Sequence, residues 1–283
     1  MILFKRANDL RQWLEKAKQN GLKSGFIPTM GALHAGHISL INQSKKSDDL
    51  TVASIFVNPT QFNNAADLEK YPKTIEADIR QLETAGCDIL FLPSVAEMYP
   101  DGLQADKKYN LGMLETVLEG KFRPGHYQGV CMIVDKFLQL VQPHYLYLGQ
   151  KDFQQCMVLQ KMIDQLTGID KPVIRICPTA REKDGLAMSS RNMRLTTDER
   201  KTAPKLFQML TFIKENFTAK PLPELLTEAQ KMITDAGFKP DYITIADYET
   251  LTPIQKPNDC KHSIALVAAY LHEIRLIDNL ILS

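Results

Sequence analysis

Between residues 25 and 177, short apolar runs alternate with stretches of helical spacing, and this alternation limits the possible folds more than any other feature of the chain. Residues 25–30 (Gly-Phe-Ile-Pro-Thr-Met) read as a buried strand, followed by a helix through Ile38, Leu40 and Ile41. Residues 50–57 are β-rich and closed by Asn58-Pro59. Residues 67–85 carry helical spacing at Ile75, Ile79 and Leu82 and stop at Gly86, and residues 88–92 form another strand ended by Pro93. The rhythm recurs as a helix over 130–141, a strand at 145–148, a helix over 152–166 and a strand at 172–177. Strands joined by helices pair in parallel and must be covered on both faces.

After Arg194 the pattern changes. Helices are predicted over 197–217 and 225–236, followed by strand-like runs at 242–248, 264–270 and 274–277. The expected fold is α/β: a Rossmann-like parallel-sheet domain over residues 1–177, then a smaller α+β C-terminal domain over 178–283. No internal repeat or low-complexity segment interrupts it.

The chain's 283 residues suffice for two cores. A formal net charge of +1 provides no global field for nucleic acid or an anionic membrane, so any phosphate site must be local. Five scattered cysteines (Cys87, Cys131, Cys156, Cys177, Cys260) lack metal-ligand spacing and read as reduced core thiols. The N-terminus turns charged too early for a signal peptide, and the longest apolar run, 264–271, is too short to span a bilayer. The expected location is the cytosol, with no nucleic-acid and no membrane partner.

In parallel sheets ligands gather beyond the carboxyl ends of the strands, so the residues there matter most. The first strand runs into Met30-Gly31-Ala32-Leu33-His34-Ala35-Gly36-His37. Two histidines bracket a small residue and a glycine at the mouth of a helix, where unpaired amides and the positive dipole end are expected to welcome an anion. The imidazoles add donors that can follow charge on a phosphorus in transit. After the second strand, Asn58 and Gln61 offer neutral amides suited to a hydroxyl or carboxylate, although Asn58-Pro59 alone reads equally as a turn. Gly149-Gln150-Lys151-Asp152 follows a later strand, and a lysine at a positive helix end makes more sense as a phosphate counter-charge than as helix support. Gln155 lies one turn further on. Beyond the last strand, residues 181–192 end in Met188-Ser189-Ser190-Arg191, a polar segment that fits a mobile phosphate loop or an ordinary connection between domains.

Together these segments resemble the AMP-forming pantoate–β-alanine ligases. The His34-Ala35-Gly36-His37 turn is similar to the HxGH signature of the HIGH-type nucleotidyltransferases, and residues 188–191 are similar to that superfamily's KMSKS loop. Phe56-Val57-Asn58-Pro59-Thr60-Gln61-Phe62, Gly149–Asp152 and the 119–130 segment narrow the likeness to the ligases. The resemblance implies ATP-dependent condensation of (R)-pantoate with β-alanine through a pantoyl adenylate, releasing pyrophosphate and AMP. It implies ATP binding by residues 30–37 and 149–152, by Ala180, and by Met188, Ser189, Ser190 and Arg191. His37, His34 and Lys151 become the catalytic set, Gln61, Gln155 and Asn58 the pantoate site, and Gln61 a β-alanine contact. Mg²⁺ is expected with the nucleotide, and the resemblance points to Asp78 and Gln81 as its ligands, although Ala77 stands where some relatives carry a second acid. A homodimer is also implied, with residues 129–141 as an apolar candidate surface that sheet-covering core explains equally well. The histidine turn and serine loop would also serve a nucleotidyltransferase acting on a phosphorylated acceptor, whereas intact Lys151, His34 and His37 argue against a protein that only senses ATP. Neutral amides at 58, 61 and 155 suit a hydroxy acid better than a phosphomonoester.

Overall fold

The computed structural model describes residues 1–62, 65–103 and 107–283. It divides into two units: residues 1–149 with 155–178, and residues 150–154 with 179–283. The expected boundary at 177/178 had placed 150–154 with the first unit.

In the first unit the elements run β1 (Ile2–Phe4), α1 (Ala7–Gln19), β2 (Ser24–Thr29), α2 (Ala35–Ser47), β3 (Leu50–Ile55), α3 (Ala65–Glu69), α4 (Ile75–Thr84) and β4 (Ile89–Phe91). They continue with α5 (Val95–Met98), α6 (Leu118–Phe122), α7 (His126–Val141), β5 (Tyr145–Gly149), α8 (Phe153–Asp164) and β6 (Val173–Cys177). Among the described residues these six strands form one parallel sheet in the order β1-β4-β3-β2-β5-β6. Strands β2 and β3 are buried almost throughout, as a sheet covered on both faces requires.

Phe137 of α7 packs edge-on against Phe26 of β2, Phe56 and Phe91 of β4, with ring centroids 5.6, 6.2 and 6.2 Å apart. Nearly the whole of α7 is buried within its own unit, so the apolar face considered above for a dimer is sheet-covering core.

The expected helix over 67–85 is two helices, because Pro72 between them lacks an amide hydrogen and disfavours helical backbone at Tyr71. The missing amide hydrogen of Pro204 likewise splits 197–217 into α9 (Thr197–Thr202) and α10 (Lys205–Asn216) in the second unit, although Ala203 and Pro204 keep helical backbone. There α11 (Leu222–Asp235) precedes an antiparallel sheet of β7 (Phe238–Asp247), β8 (Ser263–Leu271) and β9 (Ile274–Ile281). Met209, Leu210 and Ile213 of α10 and Leu225, Ala229 and Ile233 of α11 close a core over this sheet. No described helix is long and apolar enough to cross a membrane.

Candidate active site

The turn after β2 is built around one carboxylate. Asp78, in the first turn of α4 and 1 % exposed, accepts the amides of Ala32 at 2.9 Å and Leu33 at 2.8 Å and the Thr74 hydroxyl at 3.0 Å. This anchor holds Ala32 in the left-handed region (φ 48°), where a side chain is disfavoured. The Gly31 amide donates to Thr29 Oγ1 at 3.2 Å, and that hydroxyl donates to the Ser54 carbonyl at 2.7 Å. Gln81, one turn beyond Asp78, donates to the Leu33 carbonyl at 3.3 Å.

His34 caps α2. Its Nδ1 accepts the Gly36 amide at 3.2 Å, and His37 Nδ1 accepts the His34 amide at 3.3 Å, with the rings 4.0 Å apart. A ring that accepts at Nδ1 carries its proton on Nε2, so each histidine has a donor on its far edge. The amides of Gly31, Ala32, Leu33, His34 and Gly36 each have an acceptor within the protein, so fewer backbone donors than expected are left to meet an anion.

Asp78 and Gln81 do not fit the metal-ligand role expected of them. The Asp78 oxygens accept three hydrogen bonds in a buried site, and Gln81 holds the same turn. Mg²⁺ favours near-octahedral oxygen sites that retain several waters, whereas both oxygens of this carboxylate are already committed to protein donors. Among the described residues no cluster of three acidic, histidine or cysteine side chains could hold an ion.

The 58–61 segment meets the turn directly. Gln61 Nε2 donates to Met30 Sδ at 2.9 Å. Asn58, 1 % exposed, donates to the Gly129 carbonyl at 3.0 Å and Gln61 Oε1 at 3.3 Å, while its Oδ1 accepts Tyr99 Oη at 2.7 Å and Thr60 Oγ1 at 3.1 Å. With both ends of its amide engaged, Asn58 braces the segment. Burial pushes the Tyr99 hydroxyl pKa up, so it stays a donor.

The first turn of α7 completes the brace, a role that the sequence did not reveal. A guanidinium only donates, so His126 Nε2 accepts from Arg123 at 2.9 Å and Nδ1 donates to the Gln61 carbonyl at 2.8 Å. Gly129 permits the approach, since a Cβ there would lie 2.3 Å from the Thr60 carbonyl oxygen. Gln155 is half-buried near the start of α8. A cavity bordered by Met30, Ala32, Phe56, Thr74, Asp78 and Ser94 opens at the carboxyl ends of β2, β3 and β4.

In the second unit, Lys151 is 16 % exposed at its side chain and lies 3.5 Å from Asp152. The Asn279 side chain donates to the carbonyls of Gln150 and Lys151, both at 2.9 Å. Ala180 accepts the Met188 amide at 2.9 Å, and Arg181 bridges Ala187, so 180–188 closes as a hairpin leading into Ser189. Ser189 caps the short 3₁₀ turn Ser190–Arg194 by accepting the Arg191 amide at 3.3 Å.

The chain is similar to known proteins over nearly its whole length. A family model described as pantoate-beta-alanine ligase matches residues 2–281. A pantothenate synthetase of Bacteroides fragilis is 43 % identical over 285 residues, covering 99 % of this chain and 98 % of the relative. The solved pantothenate synthetase of Thermus thermophilus superposes with a TM-score of 0.91 at 38 % identity over 99 % of both chains. A pantoate-beta-alanine ligase from Francisella tularensis, solved with beta-gamma ATP and beta-alanine, matches with a TM-score of 0.81 at 37 % identity over 99 % of this chain and 97 % of that one.

Proposed function

The chain belongs to the pantoate–β-alanine ligase family, and from that premise we propose how its residues divide the work of condensing pantoate with β-alanine in an ATP-dependent reaction. The observation that carries the reading is the 2.9 Å contact between Gln61 and Met30. It sets an acid-holding amide against the turn that presents two imidazole donors.

Gln61 and Gln155 bind the pantoate hydroxyls and carboxylate, and Gln61 also contacts β-alanine. A pantoate carboxylate oxygen attacks the α-phosphorus of ATP, forming the acyl phosphate bond as pyrophosphate leaves. The β-alanine amine, as the free base, then attacks the acyl carbonyl, and as AMP leaves the nitrogen gives up one further proton to solvent to form the amide. His34 and His37 donate through Nε2 to the phosphate oxygens on which charge accumulates, and Lys151 adds a compact positive charge. This is stabilisation by preorganised donors, and phosphoryl transfer depends on it more than on acid catalysis. Met30–His37 as a segment, Gly149, Gln150, Asp152, Ala180, Met188, Ser189, Ser190 and Arg191 complete the nucleotide contacts.

Mg²⁺ enters this reading as the nucleotide's counter-ion, held by phosphate oxygens and water, and no step above depends on a protein ligand for it. A homodimer rests on the family resemblance. A cytoplasmic location is supported by five cysteines that are all free.

A single-turnover experiment with ATP and pantoate alone tests the reading. Enzyme-bound acyl adenylate and one equivalent of pyrophosphate are expected, with AMP appearing only after β-alanine is added. AMP formation independent of pantoate, or transfer to a phosphorylated acceptor, would overturn it.

A further inference from the structure

Two adjacent residues of β9 hold two separate segments of the second unit. Neighbouring residues in a strand point to opposite faces, and here each face has a distinct partner. Asp278, 4 % exposed, takes both prongs of the Arg181 guanidinium, at 2.6 and 3.0 Å. The same guanidinium donates to the Gly185 carbonyl at 3.1 Å and the Asn279 carbonyl at 3.2 Å, and stacks 3.9 Å over the Phe207 ring. Bonds to Asp278 and the Asn279 carbonyl tie the fork to the strand, and the bond to Gly185 ties it to the hairpin over 180–188.

Asn279, 2 % exposed, faces the other way. Its Nδ2 donates to the carbonyls of Gln150 and Lys151, both at 2.9 Å, and its Oδ1 accepts Gln150 Nε2 at 3.1 Å. The Asn279 amide donates to Asp278 Oδ1 at 2.8 Å, which joins the two halves into one network. Burial of an ion pair and an amide in this way stabilises little by comparison with apolar packing of the same volume, whereas it fixes geometry strongly.

We propose that Asn279 and the Asp278–Arg181 pair are positioning residues for adenylyl transfer, setting the Lys151 turn and the hairpin that leads to Met188 in a fixed relation to each other. The proposal rests on the reading above that Lys151 and residues 188–191 serve ATP. Neither β9 residue touches a reacting atom. They act by holding the Lys151 backbone and the hairpin where a displacement of about 1 Å would lower the rate by about 10²-fold.

The test is pantoate-dependent exchange of pyrophosphate into ATP, measured for Asn279→Ala, Asn279→Asp, Lys151→Ala and the Asn279→Ala/Lys151→Ala double variant. Arg275→Met serves as the control, since it breaks another short ion pair of β9, to Asp241 at 2.7 Å, away from both segments. Asn279→Ala is expected to lower kcat for exchange by about 10–10²-fold with KM for pantoate within about twofold. Asn279→Asp, which keeps the shape and loses both donors, is expected to be as slow. The double variant is expected to be no slower than Lys151→Ala alone, because the two act through one group. Losses that multiply, or an exchange rate in Asn279→Ala no lower than in Arg275→Met at matched thermal stability, would overturn the proposal. Wild-type exchange in Lys151→Ala would instead overturn the assignment of Lys151, and the proposal with it.

Discussion

The two units hold their candidate nucleotide segments by different means. In the first, a single buried carboxylate from a helix 45 and 46 residues along the chain accepts backbone amides of the 30–37 turn. In the second, neighbouring side chains of a strand reach carbonyls 128 and 129 residues away and, on the opposite face, a hairpin fixed by an ion pair. The first arrangement fixes backbone by giving its amides a single acceptor group. The second fixes the backbone around a lysine through a polar network of several members. A turn anchored at one carboxylate is expected to fail abruptly when that group is lost, and a network to fail by degrees.

The largest effect is expected at His37. If side chains rather than amides supply the first unit's donors, His37→Ala lowers the adenylation rate by about 10²–10³-fold while weakening ATP binding far less. Equal losses in single-turnover rate and in ATP affinity would mean that the histidine binds ground and transition states alike, and would break the comparison at its base.

Next is Asp78. Its replacement by alanine leaves two buried amides without an acceptor and is expected to lower the free energy of unfolding by about 2–4 kcal/mol in urea titrations. Asp78→Asn keeps one acceptor oxygen and is expected to lose less. Its Mg²⁺ concentration for half-maximal rate should match the wild type, and a clear rise would restore Asp78 as a metal ligand.

Two glycines then compare the units directly. A Cβ at Gly129 would meet Thr60 backbone at 2.3 Å, whereas at Gly185 it would meet the Phe207 ring at the same 2.3 Å. Rings can rotate away and backbone cannot, so Gly129→Ala is expected to cost about 2–3 kcal/mol and to raise KM for pantoate. Gly185→Ala, strained by its φ of +92°, is expected to cost about 1–2 kcal/mol with KM for pantoate unchanged. Equal effects on both constants would erase the distinction.

The smallest effect concerns cysteines. Burial pushes the Cys87 and Cys131 thiols of the first unit up to about 12, so almost no thiolate exists at neutral pH. Cys260 of the second unit is raised too, by burial and by Asp247, but it is partly exposed. Iodoacetamide on the native protein is expected to modify Cys260 slowly and the buried pair not at all. Early modification of Cys87 would show that the first unit opens more readily than its packing implies.

Much of the fold was legible because it is periodic. Strands β2 to β6 and the last three strands announce themselves by apolar runs, and Gly86 and Pro93 mark ends correctly. Proline at 72 and 204 was visible too, yet helical spacing continued across both and hid the breaks. Candidate site residues could be named from the sequence where they sit in a short motif, as in residues 30–37 and 188–191. A role was not legible where it depends on a distant partner. Nothing local distinguishes Asp78 as an anchor from Asp78 as a ligand, or Asn58 as a brace from Asn58 as a contact. His126 lies in a segment that carried the resemblance without a role attached, and Asp278-Asn279 reads simply as the polar part of a strand.

Residues 150–154 have one more consequence. The chain leaves the first unit after Gly149, gives five residues to the second, and returns at Gln155. The second unit is therefore not a continuous stretch of the gene. A fragment starting at Thr179 would contain Asn279 but none of the carbonyls it grips, and an exchange of C-terminal halves between relatives would pair one parent's strand with the other's lysine turn. Recombination across this family should therefore succeed only where both pieces travel together, so that two stretches far apart in the message are inherited as one part.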